Sequence, residues 1–578
     1  MMDLLANQPR RMLAERQQLD TLARTETWFK VRGWSQRGDG GLEVEFTLDL
    51  AQGAKVEAVL VYPVFYPDVA AYVRPKNHGE AWSGHQYPGT GVLCLEYGPD
   101  NWHEGVTGVD LVKSANKLIW QEFMRLMSPR RAPGIPSRHT TTVGQFLRNA
   151  NKRFILTSAF LKAAAAQVIG TAQPLVLLTY SNNVDTVSMV KEVGNGPAMQ
   201  LLGNLTLPAA APQPGLLVRI EAPAPSRALA RDELLELVPT EERVQAKGKA
   251  MVLCDTNSSI RVFNVPEADT EQPTELTVLD ATEEHNPRLP EKYTKLSSLH
   301  VTIAGMGSLG SKVAVSLARC GFRSFCLIDV DVLMPHNLVR HDMDWRSVGQ
   351  AKVDAVAERI YAVAPDATVL ALPFDVAGQE NPMVMSEVAN VVGKSHLVID
   401  ATAEAHAFLN LASVCKRAAV PMVWGEVFAG GFGGLIARSR PTKDAAPATL
   451  RRHIQSVMNT LAPVPKVEVK RYSAETDSQV FTADDACVTW VAGILTSFAV
   501  DVVLNEQEPD FPYPAYLLGF KKFWEFDQPF DTKPIAGPEL LSDTTPEENL
   551  TEQDAKAFES FQKLVKGRSN GASNNHPG

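Results

Sequence analysis

Residues 299–331 read LHVTIAGMGSLGSKVAVSLARCGFRSFCLIDVD, and this stretch decides the fold of the chain around it. A short apolar run, Leu299 to Ala304, predicts a strand that ends at a glycine turn. A helical pattern follows the turn, and a second apolar run, Phe325 to Ile328, predicts the next strand. Strand, glycine turn, helix and strand in this order predict a βαβ unit that binds a nucleotide.

Each of the three glycines has a separate role in the turn. Gly305 permits a tight exit from the strand, Gly307 lets backbone approach a phosphate, and Gly310 lets the helix pack close to the strand. The start of the helix then offers free N–H groups and a partial positive charge to phosphates. Asp329 ends the second strand, where a carboxylate would accept hydrogen bonds from ribose hydroxyls. The alternative is a glycine turn in an ordinary α/β domain.

Four polar residues beyond the second strand indicate which nucleotide binds. A lone glycine motif would favour NAD or FAD. Here Asp331 adds a second carboxylate, and Asn337, Arg340 and Lys352 follow. Carboxylates, an amide, a guanidinium and an amine suit a triphosphate with a divalent metal. Hydride transfer needs no such set, so an NAD-dependent oxidoreductase is the less favoured alternative.

These motifs resemble the ThiF/MoeB-like adenylating family, which includes ubiquitin-activating enzymes, over about residues 290–525. The resemblance implies that Asp329 holds the ribose and that Asn337, Arg340 and Lys352 contact the phosphates of ATP. The family also carries an aspartate pair near a later strand. Here Asp400 is present, but Ala403 stands at the second position, and we expect the adjacent Glu404 to replace it as a ligand of Mg²⁺.

Composition narrows the class of protein. A chain of 578 residues predicts about three or four domains. With 45% hydrophobic and 21% charged residues, it has the composition of a globular protein. A net charge of −10 argues against a nucleic-acid-binding surface, and we expect no apolar run to approach the roughly 18 residues that a membrane span needs. The six cysteines show no CxxC spacing, so we expect a reduced, cytoplasmic chain.

The fold class that we predict is a multidomain chain of α/β and α+β type. It comprises, in order, an α+β domain at 1–130, a linker at 131–149, an α/β domain at 150–290, the Rossmann-like nucleotide domain at 291–535, and a polar, partly flexible tail at 536–578. The second of these domains shows no glycine motif and no paired acids, so we expect it to be a scaffold.

Cys94 lies in a glycine-rich polar loop, HQYPGTGVLCLEYGPDNWHEG, residues 85–105. A structural cysteine normally sits inside an apolar run, whereas a reactive one sits in a partly exposed, polar setting. The pattern YP…YP…P, then G-x-x-C-L, then Trp102, is similar to that of ubiquitin-conjugating enzymes over about residues 1–130. That resemblance implies that Cys94 carries a thioester and passes its acyl group to a lysine.

One residue of that family's pattern is missing near Cys94. Its HPN motif supplies an asparagine linked to catalysis, but this chain reads His85-Gln86-Tyr87-Pro88. Oxyanion support must then come from another group, with His85, His103 or backbone N–H groups as candidates. Surface-loop histidines without a catalytic role are the alternative for both imidazoles.

Cys487 is the candidate for a first thiol carrier. It follows a polar stretch and opens the apolar helical pattern CVTWVAGILTSFAVDVVL, so we expect it at a helix N-terminus, where the dipole stabilises a thiolate. Asp484 and Asp485 oppose this effect, although they also fit helix caps. The alternative is a buried residue on the first turn. Cys254, Cys320, Cys326 and Cys415 fit structural positions.

The glycines of GEVFAGGFGGLIARSRP, residues 425–441, leave two interpretations open. They allow close approach of an extended peptide C-terminus, or they form a tight hairpin.

The order of the three domains resembles the bacterial two-in-one ubiquitin-transfer enzymes of CBASS antiphage operons. The resemblance implies that the middle domain is an inactive adenylation-like fold and that the chain is a homodimeric ligase. It implies that the acyl donor is the C-terminus of a cGAS-like nucleotidyltransferase and that the acceptors are lysine-bearing targets. The alternatives are an adenylating enzyme for a sulfur-carrier protein, the oxidoreductase, and a non-catalytic interaction protein.

Overall fold

The computed structural model describes residues 3–127, 150–282, 288–464, 483–539, 556–558 and 561–562. Within these ranges it leaves out residues 51–52, 78–79, 81, 83–84, 88–89, 183, 195–198, 201–209, 225–226, 228, 379 and 506. The predicted linker and most of the predicted tail lie outside the described residues. The chain divides into two compact units, Met1–Asn149 and Ala150–Gly578.

The first unit packs three helices on one antiparallel sheet. Its elements are α1 Leu4–Asn7, α2 Pro9–Thr25, β1 Phe29–Gln36, β2 Leu42–Asp49, β3 Lys55–Tyr62, β4 Tyr72–Pro75 and α3 Gly108–Met127. The strands pair in the order β1-β2-β3-β4. Helix α2 starts with Pro9, which needs no N–H partner there. It buries Met12, Leu19 and Leu22 on one face, as a helical period requires.

The middle region forms a mixed sheet with small helices. Its elements are β5 Lys152–Thr157, α4 Ser158–Ala166, β6 Ala172–Ser181, β7 Thr186–Val193, β8 Met199–Gln200, β9 Ala211–Arg219, α5 Arg231–Glu236, α6 Arg243–Ala246, β10 Ala250–Cys254, β11 Ile260–Asn264 and β12 Thr274–Ala281. Strand β5 pairs with β12 and also with β7, so the sheet closes on itself. This closed, mixed sheet differs from the open sheet of the C-terminal region, and the adenylation-like fold expected for residues 150–290 stays a prediction.

The C-terminal region alternates strands and helices. Its elements are β13 His300–Ala304, α7 Ser308–Cys320, β14 Ser324–Ile328, α8 Lys352–Val363, β15 Thr368–Leu372, α9 Pro382–Gly393, β16 Leu397–Asp400, α10 Ala405–Ala418, β17 Met422–Val427, β18 Gly433–Ser439, α11 Pro447–Met458, α12 Asp485–Leu504, β19 Ala515–Gly519 and β20 Thr532–Ile535. Short 3₁₀ helices span Glu291–Ser298, Pro335–Val339 and Trp345–Ser347. The predicted strand, turn, helix and strand of the opening stretch are confirmed.

The sheet of this region positions the site. Its strands run in the order β15-β14-β13-β16-β17-β18-β19-β20, and the five strands from β15 to β17 are parallel. The chain leaves β13 toward β14 on one side and later returns to β16 on the other. This reversal creates a crevice beyond the carboxyl ends of β13 and β16, where ligands bind in open α/β sheets. A mixed α/β multidomain fold is therefore confirmed.

Helix α12 corrects one expectation about apolar runs. It has 20 residues with a mean hydropathy of 1.9 in its most apolar window, long and apolar enough to cross a membrane. The prediction that no apolar run approaches such a length is wrong. However, 61% of that window is buried inside the protein, and the helix packs on α7 and on strands β16 to β18. Such burial is typical of a helix in the core of a folded domain.

Candidate functional site

The glycine turn has the geometry that its sequence predicts. Gly305 adopts a φ of +86°, and a Cβ on it would lie 2.7 Å from the backbone N of Thr402. A Cβ on Gly310 would lie 1.8 Å from the carbonyl oxygen of Gly305, so only glycine lets the helix start so close to the strand. A Cβ on Gly307 would meet nothing within 4 Å, because this position faces open space.

The peptide of Met306, between the first two glycines, is held from both sides. Its N–H donates to Oδ2 of Asp329 at 2.6 Å. Its carbonyl oxygen accepts from Nε2 of His341 at 2.7 Å, so the proton of that imidazole lies on Nε2. Burial lowers the pKa of His341, which favours this neutral form. Sequence reasoning missed His341, although it directly follows Arg340.

The predicted phosphate-binding residues come from three different segments. Asn337 lies in the 3₁₀ helix, where its Oδ1 accepts from the N–H of Met334 at 2.8 Å. Lys352 begins helix α8, is only 8% exposed, and donates from Nζ to Oδ2 of Asp331 at 2.6 Å. Within the described residues Arg340 makes no ion pair, so its guanidinium is available to an anion.

One cavity brings these segments together. It has a volume of about 360 Å³, and Gly307, Asn337, Arg340 and Lys352 line it. Its other walls come from His341, from residues 401–403 after β16, and from residues 425–429 at the end of β17. Asp329 and Asp331 support this wall through their bonds to Met306 and Lys352. The roles assigned to all these residues stay predictions, but their common location has the form of a polyanion site.

The predicted metal ligands face a second, smaller cavity of about 70 Å³. Asp400 ends β16 and is 4% exposed; its Oδ1 accepts from the N–H and the hydroxyl of Thr402 at 2.9 and 2.6 Å. Burial raises the pKa of Asp400. Glu404 occupies the N-cap position of helix α10, without a capping hydrogen bond from its side chain, and lines the same cavity.

A third carboxylate, which sequence reasoning missed, borders both cavities. Glu426 on β17 lines both of them, as do Ala403 and Gly425. Burial raises the pKa of Glu426, and the nearby Arg451 opposes that rise. Across the described part of the chain, no group of three or more His, Cys, Asp or Glu is arranged to hold a metal ion. A magnesium role for Asp400 and Glu404 stays a prediction.

The glycine-rich run at 425–441 forms a hairpin, which confirms the second of its two interpretations. Strands β17 and β18 pair with Val427 opposite Gly434, and the N–H of Phe428 donates to Gly433 O at 2.8 Å. Phe428 and Ala429, at the turn, line the larger cavity. The turn therefore forms a wall of the larger cavity.

Cys487 lies on the first turn of helix α12, as predicted, but not as an exposed thiol. It is 0% exposed, and its Sγ lies 3.9 Å from the carbonyl oxygen of Gly433. Burial raises the pKa of the thiol to about 11, and the charge of Asp484 adds to that rise. Burial and Asp484 thus oppose the stabilisation of a thiolate that we expect from the helix N-terminus, and that stabilisation stays a prediction. A carrier role for Cys487 stays a prediction.

The surroundings of Cys487 connect it to the larger cavity. Asp484 caps the helix by accepting from the N–H of Cys487 at 2.8 Å. Ala483 and Val488, which flank this cap, line the same cavity as Arg340 and Lys352. The segment that precedes residue 483, at 465–482, lies outside the described residues.

Cys94 occupies a different setting in the first unit. It is half-buried and lines a cavity of about 250 Å³ with Tyr72, Tyr87 and Tyr97. Burial raises the pKa of its thiol, and a hydrogen bond from Tyr87 opposes that rise. Of the predicted oxyanion candidates, His85 accepts from the N–H of Cys94 at 2.8 Å through its backbone carbonyl. His103 stacks edge-on against Tyr97, with ring centroids 6.5 Å apart.

The remaining cysteines have the surroundings of structural residues. Cys254, Cys326 and Cys415 are buried, and Cys320 is half-buried on helix α7. Burial raises the pKa of Cys326 to about 11 and that of Cys415 to about 12. All six cysteines are free thiols.

Comparison with known proteins finds similarity to one family in the C-terminal region. Residues 285–529 match the model of the ThiF family. The ATP-dependent ubiquitin transferase-like protein Cap2 of Enterobacter hormaechei is 36% identical over 124 residues, 21% of this chain and 20% of that protein. The tRNA threonylcarbamoyladenosine dehydratase of Escherichia coli is 31% identical over 176 residues, 29% of this chain and 62% of the enzyme.

Solved structures are also similar in part. The crystal structure of E. coli MccB with ATP aligns at 16% identity and a TM-score of 0.32, over 43% of this chain and 68% of that one. The chain spans less than two thirds of the length of each curated relative named above. Residues 285–529 are thus similar to the ThiF family, in agreement with the resemblance drawn from the glycine turn, the paired acids and the Asn337, Arg340 and Lys352 set.

Proposed function

We propose that this chain uses ATP to activate the C-terminal carboxylate of a protein and passes the acyl group through Cys487 and Cys94 to an amine. One observation carries the proposal. The cavity walled by Gly307, Arg340 and Lys352 also touches both residues that flank the cap of the Cys487 helix. This shared wall supports a common location for activation and capture of an acyl group.

The first step joins the carboxylate to the nucleotide. A carboxylate oxygen attacks the α-phosphorus of ATP, a new P–O bond forms, and the bond to the leaving pyrophosphate breaks. Arg340 and Lys352 stabilise the negative charge that gathers on the phosphate oxygens. Lys352 must first exchange its ion pair with Asp331 for one with a phosphate. The side chain of Asp331 is exposed, which allows this exchange.

The divalent cation of this chemistry would be Mg²⁺. Asp400 and Glu404 are the residues that would hold it, and it would supply further positive charge to the phosphates. Carboxylates at the end of β16 and at the start of α10 suit a hard cation that prefers oxygen ligands.

The next steps move the acyl group between thiols. The Cys487 thiolate attacks the acyl carbonyl, forms a C–S bond and releases AMP. The Cys94 thiolate then attacks the same carbonyl, and the thiolate of Cys487 leaves. Finally a lysine amine attacks, the C–S bond to Cys94 breaks, and the amine proton passes to solvent. Thiols suit both roles because a thiolate is a strong nucleophile and also a good leaving group.

The relatives support this choice of reaction. One is named an ATP-dependent ubiquitin transferase-like protein, and another a ubiquitin-like modifier-activating enzyme. The resemblance of the first unit to ubiquitin-conjugating enzymes supplies the second thiol. The proposal includes a cGAS-like nucleotidyltransferase as the acyl donor, lysine-bearing acceptors, a homodimer and a cytoplasmic location.

An adduct assay tests the proposal. The full chain is incubated with ATP, Mg²⁺ and a cGAS-like nucleotidyltransferase that has an intact C-terminus, and products are separated with and without reductant. We expect a thiol-sensitive adduct in the unaltered chain. Cys487→Ala should remove all adducts, whereas Cys94→Ala should remove only the later, reductant-stable conjugates. Cys415→Ala, a buried cysteine outside the cavity, is the matched control.

The nucleotide step has its own variants. Lys352→Ala should reduce adduct formation by about 100-fold or more, the scale of removing one group that stabilises developing charge. Lys394→Ala, an exposed lysine beyond helix α9, should change nothing. Adducts that persist in both cysteine variants would exclude the relay. Adducts on Cys487 alone would favour activation of a sulfur-carrier protein, and binding of NAD without any adduct would favour an oxidoreductase.

A further inference from the structure

The loop that carries Cys94 is a short antiparallel hairpin. Gln86 bridges Leu93, and the flanking hydrogen bonds run from Cys94 N to His85 O and from Tyr87 N to Val92 O, each at 2.8 Å. Leu93 N also donates to Val73 O of β4 at 2.9 Å, which joins the hairpin to the sheet.

The register of this hairpin decides which side chains meet. Side chains alternate between the two faces of a strand. Gln86 and Leu93 therefore share one face, and Tyr87, Val92 and Cys94 share the other. Tyr87 and Cys94 are diagonal neighbours on that face, a separation that an aromatic side chain can span. Both line the same 250 Å³ cavity, and the Tyr87 side chain opposes the rise that burial causes in the pKa of the thiol.

Gln86 fixes the opposite face of the hairpin. Its Nε2 donates to Gly91 O at 2.9 Å and to Glu80 O at 3.2 Å, while its Oε1 accepts from Trp82 N at 2.5 Å. One side chain thus ties three points of the loop together. This clamp holds the backbone that positions Tyr87, which is itself 42% exposed.

We propose that Tyr87 is a catalytic residue of the acyl transfer, whose hydroxyl donates a hydrogen bond to the sulfur of Cys94. This inference rests on the proposed function of Cys94. The hydroxyl stabilises the thiolate while it attacks the incoming acyl group, and again when it leaves after the amine has attacked. Hydrogen bonds to charged groups are stronger than those to neutral ones, so the hydroxyl matters most for the ionised sulfur.

Other groups near the sulfur are compatible with this role. Tyr72 and Tyr97 are the other titratable side chains among the described residues that line the cavity, and His85 lies across the hairpin from Cys94. In this proposal, two residues take over the functions of the asparagine that is missing near Cys94. Gln86 supports the loop, and Tyr87 contacts the reacting sulfur.

Alkylation kinetics test the role of the hydroxyl without any acyl donor. The full chain and its Tyr87→Phe variant are treated with iodoacetamide from pH 7 to pH 10, and modification of Cys94 is followed by mass spectrometry. Loss of the hydroxyl should move the pH profile of Cys94 upward by about one unit, so that labelling near pH 8 slows by about tenfold. Tyr97→Phe, which removes a hydroxyl from the same cavity, is the matched control and should leave the profile in place.

Two results would overturn the inference. One is a Tyr87→Phe profile that coincides with that of the unaltered chain. The other is an equal shift in Tyr97→Phe, which would assign the effect to the polarity of the cavity. Measurements are made well below the melting temperature of each variant, so that a change in folding cannot produce the shift. Because the assay contains neither ATP nor donor, failure of the relay would leave this result unaffected, and the reverse also holds.

Discussion

The two proposed thiol carriers, Cys94 and Cys487, lie in opposite kinds of surroundings. Cys94 is half-buried on a hairpin loop, lines a cavity and accepts a hydrogen bond from a tyrosine. Cys487 is fully buried on the first turn of a core helix, against the carbonyl of Gly433. Burial raises the pKa of both thiols. Tyr87 opposes that rise at Cys94, whereas at Cys487 the charge of Asp484 adds to it and that of Lys521 opposes it.

This difference indicates that the two thiols are controlled differently. Because Cys94 is half-buried and lines a cavity, we expect its thiol to react without a rearrangement of the fold. Cys487 needs a rearrangement of the first turn of α12 before it can attack an acyl-adenylate. Exposure of its thiol would then be coupled to binding at the adjoining nucleotide cavity, and a reactive thiolate would form only when an acyl group is present.

The largest expected effect is a difference in reactivity. At pH 7.5 and without ATP, iodoacetamide should modify Cys94 at least about 100 times faster than Cys487. A thiol with a pKa of about 11 is ionised in roughly one molecule in three thousand at this pH, and burial slows the reagent further. Peptide mass spectrometry of the full chain measures both rates in one sample. Cys415, also buried, provides an internal reference, and equal rates at Cys94 and Cys487 would contradict the comparison.

A second prediction tests whether the two sites are independent. Glu15, 1% exposed on helix α2, accepts from Tyr62 OH, Tyr66 OH and Gly108 N at 2.9, 2.5 and 2.7 Å. Glu15→Gln replaces one acceptor by a donor, so we expect a loss of about 2 kcal/mol from the first unit. Hydrogen exchange of strands β1 to β3 should show the loss.

The same variant should leave the labelling rate of Cys487 unchanged, since that thiol lies in the other unit. Asp20→Asn on the same helix is the control, because its exposed pair with Arg16 contributes well under about 1 kcal/mol. A faster reaction of Cys487 in Glu15→Gln would show that the two sites are coupled.

A third prediction concerns pH. Since the pKa of Cys487 is raised to about 11, its thiolate population increases throughout the range from pH 8 to pH 10. Its labelling should therefore rise by about tenfold per pH unit over that range, without reaching a plateau. A plateau near pH 8.5, the behaviour of an ordinary exposed thiol, would mean that the first turn of α12 opens readily in solution.

Local patterns in the sequence predicted the nucleotide crevice well. The glycine turn, the helix after it and the strand ending at Asp329 depend on residues close together in the chain, so each could be read directly. Arg340 and Lys352 could be added because their residue types suit one ligand. The larger cavity then brings both of them beside Gly307.

Contacts between segments that are distant in the chain could not be predicted from such local patterns. The burial of Cys487 depends on the approach of Gly433 from the β17–β18 hairpin, and nothing near Cys487 in the chain reveals it. The closure of the middle sheet depends on the pairing of β5 with β7 across an intervening strand, which a strand pattern does not specify. His341 and Glu426 were missed for the same reason, since only the fold places them at the cavity.

The smallest expected effect concerns the cap that holds Cys487 in place. Asp484 accepts from the N–H of Cys487 at 2.8 Å and pairs with Lys521 at 3.1 Å. Asp484→Ala should cost about 1 kcal/mol of helix stability and also remove a negative charge that raises the pKa of the thiol. Both changes favour exposure and ionisation, so labelling of Cys487 should increase by about fivefold while that of Cys94 stays constant.

Asp485→Ala separates the cap from charge in general. Asp485 lies on the same turn and pairs with Lys312 at 2.9 Å, but the N–H of Cys487 donates to Asp484 and not to it. We therefore expect its removal to change the labelling of Cys487 by less than about twofold. If Asp484→Ala has no larger effect than Asp485→Ala, then the cap does not restrain the thiol. The buried position of Cys487 would then be maintained by its packing against Gly433 and the core of the sheet, and release would require movement of the β17–β18 hairpin instead of the helix.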